Sequence, residues 1–232
     1  MDEAEFIRRI AVWVLPVLFA ITGHEVAHGW AARTLGDPTA MMLGRLTLNP
    51  LKHIDPIGTV LLPGLLLYVG GFVFGWARPV PVTWENLRHP RRDIALVAAA
   101  GPVANLVMAL GWALAIRVGT LLLPYLPWFA EPLTYMGVAG IFINVILLIL
   151  NLLPILPLDG GRVVLSFLPG PLAARYSRLE PYGLVILLAL LALNVLGQVL
   201  SPVILLAATT LGGLGGLPGG LTLQILESLG AL

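Results

Sequence analysis

Two histidines four residues apart, with a glutamate beside the first, stand out as the residues best suited to chemistry: His24-Glu25-Val26-Ala27-His28. On a helix, positions i and i+4 share a face, so both imidazoles can address one ion while Glu25 reaches the water beside it. The spacing implies a metal-assisted hydrolysis in which Glu25 is the general base, taking a proton from the attacking water and passing it to the leaving amine. The competing reading, Glu25 as the partner of a buried arginine, finds no Arg at a neighbouring position of that apolar stretch. The sequence has no cysteine, so disulfides are excluded and zinc would be held by His and carboxylate, not thiolate.

A hydrolytic zinc site takes three protein ligands and keeps one position open. Of the 12 acidic residues, all but Glu25 and Asp159 lie near termini, in connections or at the edges of apolar runs. Asp159 is therefore the expected third ligand, with His24 and His28, for one zinc ion per chain. Around it, Pro154 and Pro157 prevent a regular helix and Gly160-Gly161 permits a sharp turn, so irregular backbone would line a cavity there. Its competing role is to cap the helix that follows. Asn105, Asn144 and Asn151 are further polar groups within apolar runs, and two readings stand for each: hydrogen bonding between helices, or holding the substrate backbone or the oxyanion, for which Asn105, after Gly101-Pro102, is the first candidate. His53 and His89 fall in polar connections and are expected at the surface.

The elements that must carry these residues are membrane spans. The chain of 232 residues is 58% apolar and 11% charged, against about 25% charged in an average soluble domain. Its net charge of +1, without a basic stripe, gives no reason to expect nucleic acid as a partner. A soluble protease is excluded by hydrophobicity, and a lipid bilayer is implied as surroundings. Apolar runs at residues 6–32, 57–77, 94–116, 133–153 and 182–200 are separated by polar, Pro-rich or Arg-rich connections. Acidic Asp2, Glu3 and Glu5 ahead of Arg8 and Arg9, with no small-residue cleavage site, make the first run a span and not a removable signal. The expected fold is an all-α polytopic membrane protein, a single domain over residues 1–232, with about five to six transmembrane or re-entrant segments around an intramembrane zinc site. Residues 40–48 read as a short strand or hairpin near the cytoplasmic side, and either they or residues 57–77 would offer an edge to an unwound substrate. Residues 201–232 read as an apolar tail.

Groups that share a metal lie at one depth. Asp159 sits just inside a basic boundary at Arg162, His28 just inside one at Arg33, and arginines concentrate at Arg78, Arg88, Arg91 and Arg92. Positive residues mark the cytoplasmic side, so the site is expected nearer the cytoplasmic face of the cell membrane, with residues 57–77 dipping in and returning.

These residues resemble the site-2 protease family, the intramembrane zinc metalloproteases. His24-Glu25-Val26-Ala27-His28 is similar to its H-E-x-x-H, Leu158-Asp159-Gly160 to its L-D-G, Gly101-Pro102-Val103-Ala104-Asn105 to its G-P-x-x-N, and Asn151-Leu152-Leu153-Pro154 to its N-x-x-P. The run 44–58 resembles a compact prokaryotic branch. The motifs span residues 20–162 in the family's order; no PDZ insert or CBS pair is recognised. The resemblance implies a membrane-embedded endopeptidase that cuts transmembrane segments of other proteins, with those proteins as partners. Two other classes compete. A metal transporter predicts ligands spaced across the bilayer, where this sequence has one cluster. A catalytically silent relative that binds membrane proteins would not need Glu25 and all three ligands. Oligomeric state is not legible.

Overall fold

The computed structural model describes residues 3–61 and 77–232. Among them every regular element is helical and no strand occurs. Among the described residues four helices are long and apolar enough to cross a membrane: α1 (Glu3–Thr34), α3 (Pro90–Leu122), α4 (Pro127–Asn151) and α8 (Val195–Leu214). Shorter helices are α2 (Thr39–Met42), α5 (Asp159–Phe167), α6 (Gly170–Ser177), α7 (Glu180–Ala192) and α9 (Gly219–Ser228). The long helices are punctuated as their sequences require. Glu3 and Glu5 occupy the first turn of α1 and Arg33 its last, each favourable to the helix dipole. Proline starts α3 and α4, where its missing N–H costs nothing. Large apolar side chains such as Phe6, Ile10, Val14, Val107, Leu114, Val199 and Val203 remain exposed on these helices, as suits lipid contact.

Two expectations are corrected. Residues 40–48, read as strand or hairpin, instead begin with the helical turn α2. Asp37 receives the Thr39 backbone N–H at 3.1 Å on one side, and on the other Gly44 takes φ 63° while the Arg45 N–H reaches back to the Ala40 carbonyl at 2.8 Å. The local hydrogen bonds on either side of this turn outweigh the apolar alternation, so no edge strand is present there. The run 182–200, read as one span, is broken at Asn194, which adopts φ 54°. Asparagine tolerates this left-handed conformation better than most residues, and its carboxamide lies over the first turn of α8, where a Cβ on Gly197 would collide with it. The crossing-length helix therefore lies largely in the stretch expected as a tail. Most of the run 57–77, expected to be re-entrant, falls outside the described residues; its start, Pro56–Leu61, is a wide helical turn.

The chain forms two compact units. One comprises residues 1–20, 105–149 and 199–232. In it Gly137 and Gly140 of α4 let the Ile116 and Trp112 side chains of α3 approach where any Cβ would intrude. Trp13 donates from its indole to the Leu229 carbonyl at 3.3 Å and packs edge-on against Phe142, and Leu226 of α9 is fully buried. The other unit comprises residues 21–104 and 150–198 and contains the candidate site. Its apolar core joins Ala32 of α1, Leu87 and Val97 of α3, with Leu35, Val82 and Trp84 packed around them.

Candidate metal centre

His24 and His28 face the same side of α1, one turn apart. Their Nε2 atoms are 3.0 Å apart and their rings stand nearly perpendicular, at 85°. Asp159 Oδ2 lies 3.3 Å from each Nε2. The structure thus brings all three expected ligands together, and among the described residues theirs is the one cluster of this kind. Ligand bonds of 2.0–2.1 Å in a tetrahedral site separate neighbouring donor atoms by about 3.3 Å, so this triangle fits one face of a zinc tetrahedron.

The donor chemistry fits as well. A carbonyl can only accept, so the 2.7 Å contact between His28 Nδ1 and the Val97 carbonyl puts the His28 proton on Nδ1 and the lone pair on Nε2, toward the cluster. Asp159 Oδ2 is buried with no hydrogen-bond donor among the described residues. Two imidazole nitrogens and a carboxylate oxygen within 3.0 to 3.3 Å of one another make a donor set suited to one cation. We expect Asp159→Ala to lower zinc affinity by more than about 100-fold, measured by competition with a chromophoric chelator; the same affinity in both forms would remove Asp159 from the site.

Asp159 is placed by being the first residue of α5, after a run of tight turns over 151–158. The glycine pair behind it is needed for close approach: a Cβ on Gly160 would overlap the Leu152 carbonyl, and one on Gly161 would stand 2.6 Å from the backbone at Ile155 and Leu156. Arg162, one turn on, stacks its guanidinium 5.1 Å from the Trp84 ring and pairs with Glu180 at 3.0 Å, tying α5 to α7 and to the chain before α3.

Glu25 lies next to His24 and accepts the Val80 backbone N–H at 2.7 Å. Val80 also packs against Gly29 of α1, where a Cβ would meet its Cγ1 at 2.8 Å. Glu25 is therefore held by a segment without regular secondary structure, residues 77–83, that meets α1 at Glu25 and Gly29.

The asparagines separate. Asn105 and Asn144 are fully buried in the other unit, where Asn105 Nδ2 donates to Asn144 Oδ1 at 2.9 Å and to the Ala20 carbonyl at 3.3 Å, and Asn144 Nδ2 donates to the Gly140 carbonyl at 2.8 Å. These are bonds between and within helices, the first of the two readings. Asn151 stays in the unit of the metal cluster, partly buried at the end of α4. His53, expected at the surface, is 1% exposed: its Nε2 donates to the Thr47 carbonyl at 2.8 Å and its own carbonyl accepts the Arg78 N–H at 2.9 Å, so it braces a connection. His89 is exposed as expected.

Sequence reasoning gave three contributors no role at the site, the first of them noted only as part of a motif. Gly101 of α3 sits against both imidazoles so closely that any Cβ would overlap them. Val80 supplies the N–H that orients Glu25, and the Pro79-Val80-Pro81 pattern, with a single N–H among its three residues, was the signal available for it. Val97 supplies the carbonyl that fixes His28, for which the sequence offered no signal.

A helix-borne H-E-x-x-H completed by an aspartate from a separate helix, within a chain of membrane-length helices, defines the zinc-metallopeptidase class of site. The family model for peptidase family M50 matches residues 127–193. The chain is 38% identical over 192 residues to the Bacillus subtilis protein named "Putative zinc metalloprotease YwhC", covering 82% of this chain and 84% of that one. It is 33% identical over 191 residues to Rip2 of Mycolicibacterium smegmatis (80% and 67% covered) and 32% over 189 residues to Rip2 of Mycobacterium tuberculosis (80% and 66%), both of which carry the same zinc metalloprotease description. No solved structure gives a significant match. The chain belongs to peptidase family M50, the site-2 protease family; it is a zinc metalloprotease and a membrane protein.

Proposed function

We propose that this protein is an intramembrane endopeptidase of the cell membrane, hydrolysing peptide bonds in or near transmembrane segments of other membrane proteins, with one zinc per chain. The observation that carries this reading is that His24, Glu25 and His28 lie on α1, itself a helix of membrane-crossing length and apolarity. Hydrolytic residues are costly in such a helix unless the substrate is there too. The arginine-rich connections support a site nearer the cytoplasmic face, from which water would enter.

His24, His28 and Asp159 would hold the zinc, which when bound polarises a carbonyl and makes water acidic enough to attack near neutral pH. The chain's own residues supply the rest. Glu25, fixed by Val80, takes the proton from the attacking water and delivers it to the leaving amine. His28 is kept in the ligating tautomer by Val97. A substrate helix hides its carbonyls in internal hydrogen bonds and must unwind locally before attack. Asn151 is our candidate for holding the unwound backbone, while Asn105 and Asn144 serve the helical framework. A transporter reading lacks a second station, since the described residues contain one ligand cluster.

The test uses purified protein in detergent with a panel of membrane-embedded reporter helices and a soluble unfolded peptide. Expected are about one bound zinc per chain, cleavage of at least one reporter, loss of cleavage on chelation and its return with zinc. Cleavage of the soluble peptide alone would overturn the intramembrane reading. Protein that binds no zinc would overturn the site.

A further inference from the structure

The connection after α1 contains a carboxylate that the chemistry above leaves unused. Asp37 is fully buried, 0% exposed, and accepts the backbone N–H of Thr83 at 2.7 Å, the Asn86 carboxamide at 2.9 Å, and both the backbone N–H (3.1 Å) and the hydroxyl of Thr39. Burial alone would push its pKa up, but the hydrogen bonds from Thr39, Asn86 and Thr83 outweigh it and hold the carboxyl below the usual carboxylate range. The bonds to Thr39 are local, two residues along the chain. Those to Thr83 and Asn86 reach 46 and 49 residues along the chain, which a local turn has no use for.

What they hold is the segment that orients Glu25. Thr83 lies three residues beyond Val80, whose N–H reaches Glu25 Oε2. Between them Pro81, like Pro79 before Val80, has its φ locked, so the stretch 79–83 is stiff and transmits the position of one end to the other. Its start is fixed too: the Arg78 N–H meets the His53 carbonyl at 2.9 Å, and the Arg45 guanidinium reaches the Arg78 and Pro79 carbonyls at 3.0 and 3.4 Å. We infer that Asp37 is a positioning residue for the general base: it anchors the far end of residues 77–83 through Thr83, and that segment presents the Val80 N–H to Glu25. The inference rests on the reading of Glu25 as the base.

The experiment uses the full-length zinc-loaded protein in detergent. In Asp37→Asn one carboxylate acceptor becomes an N–H₂ group, which cannot accept from Thr83 or Asn86. We expect kcat to fall about 10- to 100-fold, the range seen when a group supporting a catalytic side chain is removed, with KM and bound zinc within about twofold of wild type. Amide exchange in peptides covering 77–83 should speed up while that of α1 does not. Val80→Pro, which deletes the donor and leaves Asp37 intact, should reproduce the loss, and the double variant should be little worse than either, because the two act through one contact. Wild-type kcat in Asp37→Asn, or unchanged exchange over 77–83, would overturn the proposal. So would a fall in zinc content parallel to the fall in kcat, which would make Asp37 a general structural prop. If the wild-type protein binds zinc but cuts nothing, the proteolytic reading fails, and the exchange measurement still decides whether Asp37 anchors the segment.

Discussion

Glu25→Gln is expected to reduce peptide hydrolysis about 10²- to 10⁴-fold, the usual contribution of a general base, while leaving bound zinc unchanged. The substitution suits the geometry. Glutamine keeps the length of the side chain, and its amide oxygen can still accept the Val80 N–H that Glu25 Oε2 accepts at 2.7 Å, so its orientation should survive. What it loses is the ability to take a proton. The metal should stay because the three converging donor atoms belong to His24, His28 and Asp159. Zinc content by elemental analysis and reporter cleavage on the same preparation decide the matter. Full activity in Glu25→Gln would transfer the base role elsewhere. Loss of zinc together with activity would make Glu25 a ligand or a structural partner of the cluster, and the three-ligand site drawn above would need revision.

How much of this was legible before the structure follows from the reach of each interaction. The His24–Glu25–His28 constellation depends on one helical turn, and a local pattern suffices for that. Asp159 could be reached by elimination, because ionisable groups in apolar surroundings are few. Of the long helices, α1, α3 and α4 announced themselves through hydropathy. Residues 40–48 were misread because strand-like alternation is a weak signal over so few residues, whereas specific hydrogen bonds to Asp37 before the helical turn and around Gly44 after it hold that turn in place. The break at Asn194 was missed because a single residue in the left-handed conformation leaves the apolarity of 182–200 unchanged. Asn105 and Asn144 were each open to substrate binding or to hydrogen bonding between helices, and three-dimensional placement shows them bonded together. Val80 and Val97 act through backbone groups, which every residue possesses, so side-chain chemistry does not mark them.

Gly101→Ala tests the site through a residue that carries no functional group at all. The β-carbon would overlap His28 Nε2 and the Cε1 atoms of both histidines, and these rings cannot simply swing aside. His28 is tethered through Nδ1 to the Val97 carbonyl, and Val97 is itself on α3, one helical turn before Gly101. Moving α3 away to make room would therefore pull on His28 as well. Either the imidazoles leave the ligating geometry or the helix shifts, and both outcomes separate the donors now 3.0 to 3.3 Å apart. We expect zinc affinity to drop by at least about 100-fold and cleavage to vanish at limiting zinc, more than removing an outer hydrogen bond would cost. Gly111→Ala provides the control. It lies on the same helix with nothing within 4 Å of its β-carbon position, so it should leave zinc affinity and cleavage unchanged, and the higher helix propensity of alanine should stabilise by up to about 1 kcal/mol. Equal behaviour of the two variants would show that α3 does not press on the metal ligands. A loss confined to Gly101→Ala, with the protein still folded by thermal melting, would establish that the glycine of the G-P-x-x-N motif exists to admit the two imidazoles.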